Sequence, residues 1–190
     1  MFESLTEDKT FSHLDLKEKD LSRLIFSGVT FETCDFSSSN WTNARFSNCR
    51  FKNCNIALVN VAGCRLEEIT FEESKVTGVD FFKCEKHFFS IQLLKCRVQT
   101  CNFTDLEMKR ASFQSSQLRE AYFSNTNLQS ANFSDTDLLG TLFHNANLEG
   151  ANFQGARNYS IDPRTNRIKK AKFSLPEAVS LLSCFNILLD

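Results

Sequence analysis

A large apolar residue recurs at every fifth position along most of this chain, a period that neither a helix near 3.6 nor a strand near 2 can use. In the stretch ANFSD TDLLG TLFHN ANLEG ANFQG, residues 131–155, the third letter of each five is always Phe or Leu. The same cut holds backwards through fifteen centres from Phe11 to Phe81 without a miss. It resumes two residues out of step at Phe88 and runs through fourteen centres to Phe153. Two residues before each centre stands a small side chain, such as Cys34, Ala44, Cys54, Ala121 or Thr136. The residue between is usually Asn, Asp, Arg or Thr, and the two after the centre are polar or Gly. Each unit reads small, polar, bulky, polar, polar, so two of every five side chains point inward.

This unit resembles the pentapeptide repeat, A-(D/N)-L-x-x with Phe common in place of Leu. The resemblance implies an all-β fold, a right-handed quadrilateral β-helix in which five residues form one side of a square and twenty form one coil. Elementary packing agrees. Coils stacked roughly 4.8 Å apart bond to the coils above and below, so the 29 units counted above predict about seven coils and a rod of about 34 Å. A narrow interior takes one bulky and one small residue per side, as close packing demands. The period of twenty predicts that Phe113, Phe133 and Phe153 stack on one wall and Phe123 and Phe143 on the opposite one, with Leu on the two walls between.

Of the 20 Phe, 15 sit on a centre, and seven of the eight Cys sit at the small inward position. Those cysteines read as small buried hydrophobes rather than a zinc or redox cluster, because there is no Cys-x-x-Cys and no companion His motif. The first ten residues, MFESLTEDKT, carry neither a basic region nor an apolar run, and no stretch approaches the ~18 apolar residues of a membrane span. A cytoplasmic address is expected, with free thiols. His13, His87 and His144 are scattered, no phosphate-binding Gly-rich loop exists, and a packed column has no pocket. The expectation is a non-enzymatic protein with no catalytic residue, cofactor or metal.

The exceptions to the repeat are where function is sought. The slip leaves two extra residues, held by Glu85, Lys86 and His87 in a small bulge at a corner, with Phe82 and Phe89 at outward positions beside it. This is either a tolerated insertion or a contact for a partner. Tyr122 and Leu142, twenty residues apart, also break the outward rule, with Leu139 around the corner. They are expected to be covered by the C-terminal segment, because otherwise they form an exposed apolar patch. The chain divides into a lead-in over 1–8, the β-helix over 9–155 and a C-terminal module over 156–190. In that module Ser174 and Glu177 predict a capped α-helix with Pro176 in its first turn, running through Phe185. Its apolar residues Val179, Leu181, Leu182 and Phe185, with the tail Ile187, Leu188 and Leu189, exceed what one cap needs. A two-fold pairing of two such ends would bury them, giving a rod near 70 Å, about twice the length set by the coil spacing.

Coils ending in Asp162-Pro163-Arg164, followed by an amphipathic segment and an Ile-Leu-Leu tail, resemble the Qnr-type fluoroquinolone-resistance proteins within the pentapeptide repeat family. That resemblance implies a C-terminal homodimer that binds DNA gyrase or topoisomerase IV and protects it from quinolones by imitating DNA, with no direct nucleic-acid or membrane binding. The alternative is a pentapeptide repeat scaffold or effector with another protein partner. Charge bears on the choice. Residues 111–156 hold four acids against Arg119, net −3, while residues 157–190 hold six Lys and Arg against three acids, net +3. Arg45, Arg65, Lys109 and Arg110 interleave with Glu67, Glu68 and Glu107, so no face is continuously acidic.

Overall fold

In the computed structural model, which describes residues 4–187, each five-residue unit forms one side of a square right-handed coil. Strands of successive coils pair in parallel, twenty residues apart. One wall runs Leu5–Glu7, Ile25–Ser27, Arg45–Ser47 and Arg65–Glu67. The next runs Thr10–Ser12, Thr30–Glu32, Arg50–Lys52, Ile69–Glu72 and Ile91–Leu94. The third carries Asn55–Ala57, Lys75–Thr77, Arg97–Gln99 and Gln117–Arg119. The fourth pairs Tyr122–Ser124 with Leu142–His144 and is bridged upward through Asn102 to Asp80.

The ladder passes both limits expected from the repeat. Leu5–Glu7 already pairs with the coil below, and Arg157, Arg167 and Lys172 still pair with the coil above. The solenoid therefore has about eight coils rather than seven, a rod of about 40 Å at the spacing between parallel strands.

Each position of the unit has a physical reason. The centres are buried and stacked: Phe113 on Phe133 and Phe133 on Phe153 at 4.8 and 4.9 Å, and Phe103, Phe123 and Phe143 on the opposite wall at 4.8 and 5.3 Å. The Asn or Asp before the centre accepts a hydrogen bond from the amide two residues on, as Asn132 does from Ser134 and Asn147 from Glu149. The corner residue two after the centre adopts a left-handed conformation, which suits Asn or Gly: φ is 57° at Asn43 and 64° at Gly63, one coil on. At the small position Cys, Ser and Thr interchange because each donates to the carbonyl of a centre in the preceding coil. Cys54 Sγ reaches Phe31 O at 3.4 Å, Ser116 Oγ reaches Leu93 O at 2.8 Å and Thr126 Oγ1 reaches Phe103 O at 2.8 Å.

The slip changes the pairing interval from 20 to 22 residues: Gly63 N–H donates to Lys83 O, but Ile69 pairs with Ile91. The two extra residues lie between Glu85 and Ser90, whose amides donate to Cys64 O and Leu66 O. Lys86–Phe88 forms a 3₁₀ turn there. The resumption of the core differs from expectation. Phe89, expected outside, is 5% exposed, whereas Phe88, expected as a centre, is 39% exposed. Inserting a turn of 3₁₀ helix moves the inward direction by one residue, and Phe89 packs edge-on against Phe81 with centroids 5.9 Å apart.

The C-terminal helix also differs. Glu177–Phe185 is a 3₁₀ helix rather than an α-helix, and it has no side-chain cap. The Ser174 hydroxyl accepts instead from the Gly155 amide at 3.2 Å, tying the segment to the coil above.

Candidate functional site

The packed column leaves its chemistry to the surface. Among the described residues no cluster of three or more His, Cys, Asp or Glu could hold a metal ion, and no helix is long and apolar enough to cross a membrane. Cys34, Cys49, Cys54, Cys64, Cys84, Cys96 and Cys101 are buried and free, and Cys184 is half-buried and free. Burial pushes the Cys49 thiol up to about 11 and the Cys54, Cys96 and Cys101 thiols up to about 12, far from the thiolate a nucleophile or metal ligand needs.

What the surface does offer is apolar. Tyr122 and Leu142 pair in register on the fourth wall, 42% and 53% exposed, with Leu139 exposed beside them. The C-terminal segment does not cover them, contrary to expectation. It leaves the last coil after Phe173, on the second wall, and is held to Tyr159, whose carbonyl accepts from Ser180 Oγ at 3.4 Å. Phe82, also exposed, follows Asp80 on the same wall. Asp80, Asn102, Tyr122 and Leu142 are bridged in one file, so Phe82 lies two rungs from Tyr122 and three from Leu142, roughly 10 to 15 Å along the rod. One wall thus gathers features that lie 60 residues apart in sequence.

Around the corner, Glu85, Lys86 and His87 are exposed on the bulge, and the exposed Phe88 ring covers Arg65, its guanidinium carbon 3.4 Å from the centroid. The exposure of Phe88 escapes the sequence because Phe88 and Phe89 are equally good centres. A hint lies in Ile91 and Leu93, both buried, which fix Phe89 four residues before the next centre.

At the C-terminal end Val179, Leu182, Phe185 and Ile187 are 38 to 51% exposed. Leu181 is the one residue of the helix's apolar set that packs on the core. Leu188 and Leu189 lie outside the described residues. At the other end Leu5 and Ile25, paired in register, are exposed too. The repeat pattern does not reveal this apolar site, since it assigns polar residues to outward positions.

Comparison with known proteins agrees with the architecture. No curated protein sequence matches significantly. Among solved structures, a trypsin-treated form of QnrB1, a plasmid-mediated fluoroquinolone resistance protein, superposes with a TM-score of 0.74 at 17% identity, covering 98% of this chain and 91% of that one. A second trypsin-treated QnrB1 structure gives 0.63 at 14% identity, covering 98% and 97%. At these identities the likeness is one of fold. Within the sequence, the pentapeptide repeat region profile matches residues 24–92, and the profile of eight pentapeptide repeat copies matches residues 107–144 and 126–157. The chain therefore belongs to the pentapeptide repeat family.

Proposed function

We propose that this protein is a non-enzymatic, cytoplasmic binding rod that pairs through its C-terminal ends and engages a type II topoisomerase, DNA gyrase or topoisomerase IV, protecting it from quinolones. The observation that carries the reading is the set of exposed apolar side chains at the C-terminus, Val179, Leu182, Phe185 and Ile187. Partner-free exposure of that size is what a subunit interface presents before assembly. Beyond the pairing, the wall bearing Phe82, Tyr122 and Leu142 and the bulge bearing Phe88 supply the aromatic anchors on which protein interfaces depend. The resemblance to QnrB1 in fold supplies the choice of partner.

The experiment is a supercoiling assay with purified gyrase, run with and without ciprofloxacin. Inhibition, or protection from the drug, at micromolar protein is expected. Neither effect would remove the topoisomerase from the reading and leave a pentapeptide repeat scaffold or effector with a different protein partner. That second reading is favoured by the mixed surface charge, in which Arg50 meets Glu72 at 3.3 Å and Arg65 meets Glu67 at 2.8 Å on the rod's own walls. A DNA mimic needs a continuous negative face instead.

A further inference from the structure

The third wall carries a flat grid of outward side chains on the strands Lys75–Thr77, Arg97–Gln99 and Gln117–Arg119. Pairing in register sets Lys75 beside Arg97 and Arg97 beside Gln117 in one file, with Thr77, Gln99 and Arg119 in the next. Rungs lie about 4.8 Å apart and alternate residues of a strand about 6.6 Å apart, so three cations converge on one patch three rungs tall. Like charges directly opposite on a ladder destabilise it. Elsewhere the walls answer such cations with acids, as Glu149 answers Arg167 at 3.2 Å and Glu73 answers Lys95 at 3.6 Å. Among the described residues neither Lys75 nor Arg97 has an acidic partner, and Arg119 shares Asp137 with Arg157 at 3.8 Å each. The six residues of the grid, with Val98, line a depression of about 300 Å³ that contains no carboxylate.

We infer that this depression binds a small, multiply charged oxyanion of the phosphate class. Arg97 and Arg119 supply planar guanidinium donors, Lys75 a compact ammonium, and Thr77, Gln99 and Gln117 neutral hydrogen bonds that fix orientation. The ends of the patch set the size of the ligand. Above Lys75 the file continues with Asn55 and Asp35, and below Gln117 it continues with Asp137. A long polyanion laid along the rod would meet a carboxylate at both ends. A ligand that spans the three rungs meets a carboxylate only at its lower edge, where Asp137 lies 3.8 Å from the Arg119 guanidinium. Because the cations are exposed, binding is salt-sensitive, weakening as the screening length shortens.

Pyrophosphate is the probe, titrated calorimetrically at low ionic strength into the full chain. One saturable site is expected, weakened at least tenfold in the double variant Arg97→Gln, Arg119→Gln and also weakened in Lys75→Gln. Arg23→Gln, on another wall, should leave it unchanged. Thermal melts check that each variant is folded, which substitutions at exposed wall positions permit. Heats that do not saturate, or equal affinity in the wild type and the double variant, overturn the proposal. So does a single-stranded oligonucleotide that binds more tightly than pyrophosphate and loses affinity in the same variants, since the site would then be for a polyanion.

Discussion

The rings of Phe113 and Phe133, one coil apart, lie 4.8 Å from each other with planes 4° from parallel, and both side chains are fully buried. Phe133 also meets Phe123 and Phe143 edge-on across the column, at 6.1 and 5.8 Å. Truncating it removes a ring from a stack that neighbouring coils cannot close over. Phe133→Ala should cost about 3 to 5 kcal/mol in denaturant melts. Ser134, one residue on and facing outward, should tolerate Ala with almost no change. Equal losses at the two positions would refute the inward and outward assignment.

The same contrast tests the bulge. Phe89→Ala should destabilise by about 3 kcal/mol or more, as for a core phenyl. Phe88→Ala should cost under about 1 kcal/mol, since it loses an exposed cation–π contact to Arg65. A reversed order would restore the register that the bare repeat suggests.

That pair marks the boundary of what the repeat makes legible. Wherever five-residue units follow one another, as from Ala131 to Gly155, the sequence determines wall, depth and neighbour, because each coil copies the one before. The choice between Phe88 and Phe89 is different. It depends on whether two extra residues form a loop or a 3₁₀ turn, and no repeat copies them. The helix start fails for a related reason: Ser174 and Glu177 match a capping box, yet the Gly155 amide of the neighbouring coil takes the Ser174 hydroxyl. Tertiary partners decided these sites, and local patterns cannot list them. The exposed pairs Tyr122–Leu142 and Leu5–Ile25 also depend on what lies beside them, although Tyr122 and Leu142 were visible as breaks in the polar rule.

The cysteines make a chemical prediction. With burial raising the Cys49 thiol to about 11 and those of Cys54, Cys96 and Cys101 to about 12, the native protein at pH 8 should leave the seven core thiols unreactive to a disulfide reagent. Only the half-buried Cys184 should react, and all eight should titrate after denaturation. The sign of the pH effect follows. These thiols hold their protons in the folded state after the unfolded chain has lost its own near pH 9, so the unfolded state binds fewer protons and stability falls as pH rises from about 9 towards 12. Chemical melts at pH 8 and pH 10.5 measure the fall, and Cys54→Ser should reduce it. A flat profile would contradict thiol burial.

Tyr159 is buried against Phe153 and Phe173, at 5.9 and 5.6 Å, and its hydroxyl has no hydrogen-bond partner among the described residues. A buried hydroxyl without a partner costs about 1 to 3 kcal/mol relative to one left in water. Tyr159→Phe keeps the ring and removes that group, so the melting temperature should hold or rise by a few degrees. A loss of more than about 1 kcal/mol would mean that the hydroxyl has a partner, most simply an ordered water.

The last prediction concerns assembly. Leu182 stands 38% exposed on the C-terminal helix between Val179 and Phe185, while Leu181, on the opposite side, packs on the core. Because Leu182 is not a buried core residue, Leu182→Asp should leave the fold and its melting profile nearly intact. At a two-fold contact the same change places a carboxylate opposite its own copy in an apolar setting, where burial of an unpaired charge is strongly unfavourable. Sedimentation should therefore show a wild-type dimer and a monomeric, folded variant. A monomeric wild type would remove pairing through this end. A dimer that survives Leu182→Asp would move the contact elsewhere, with the exposed Leu5 and Ile25 at the far end of the rod the next place to substitute.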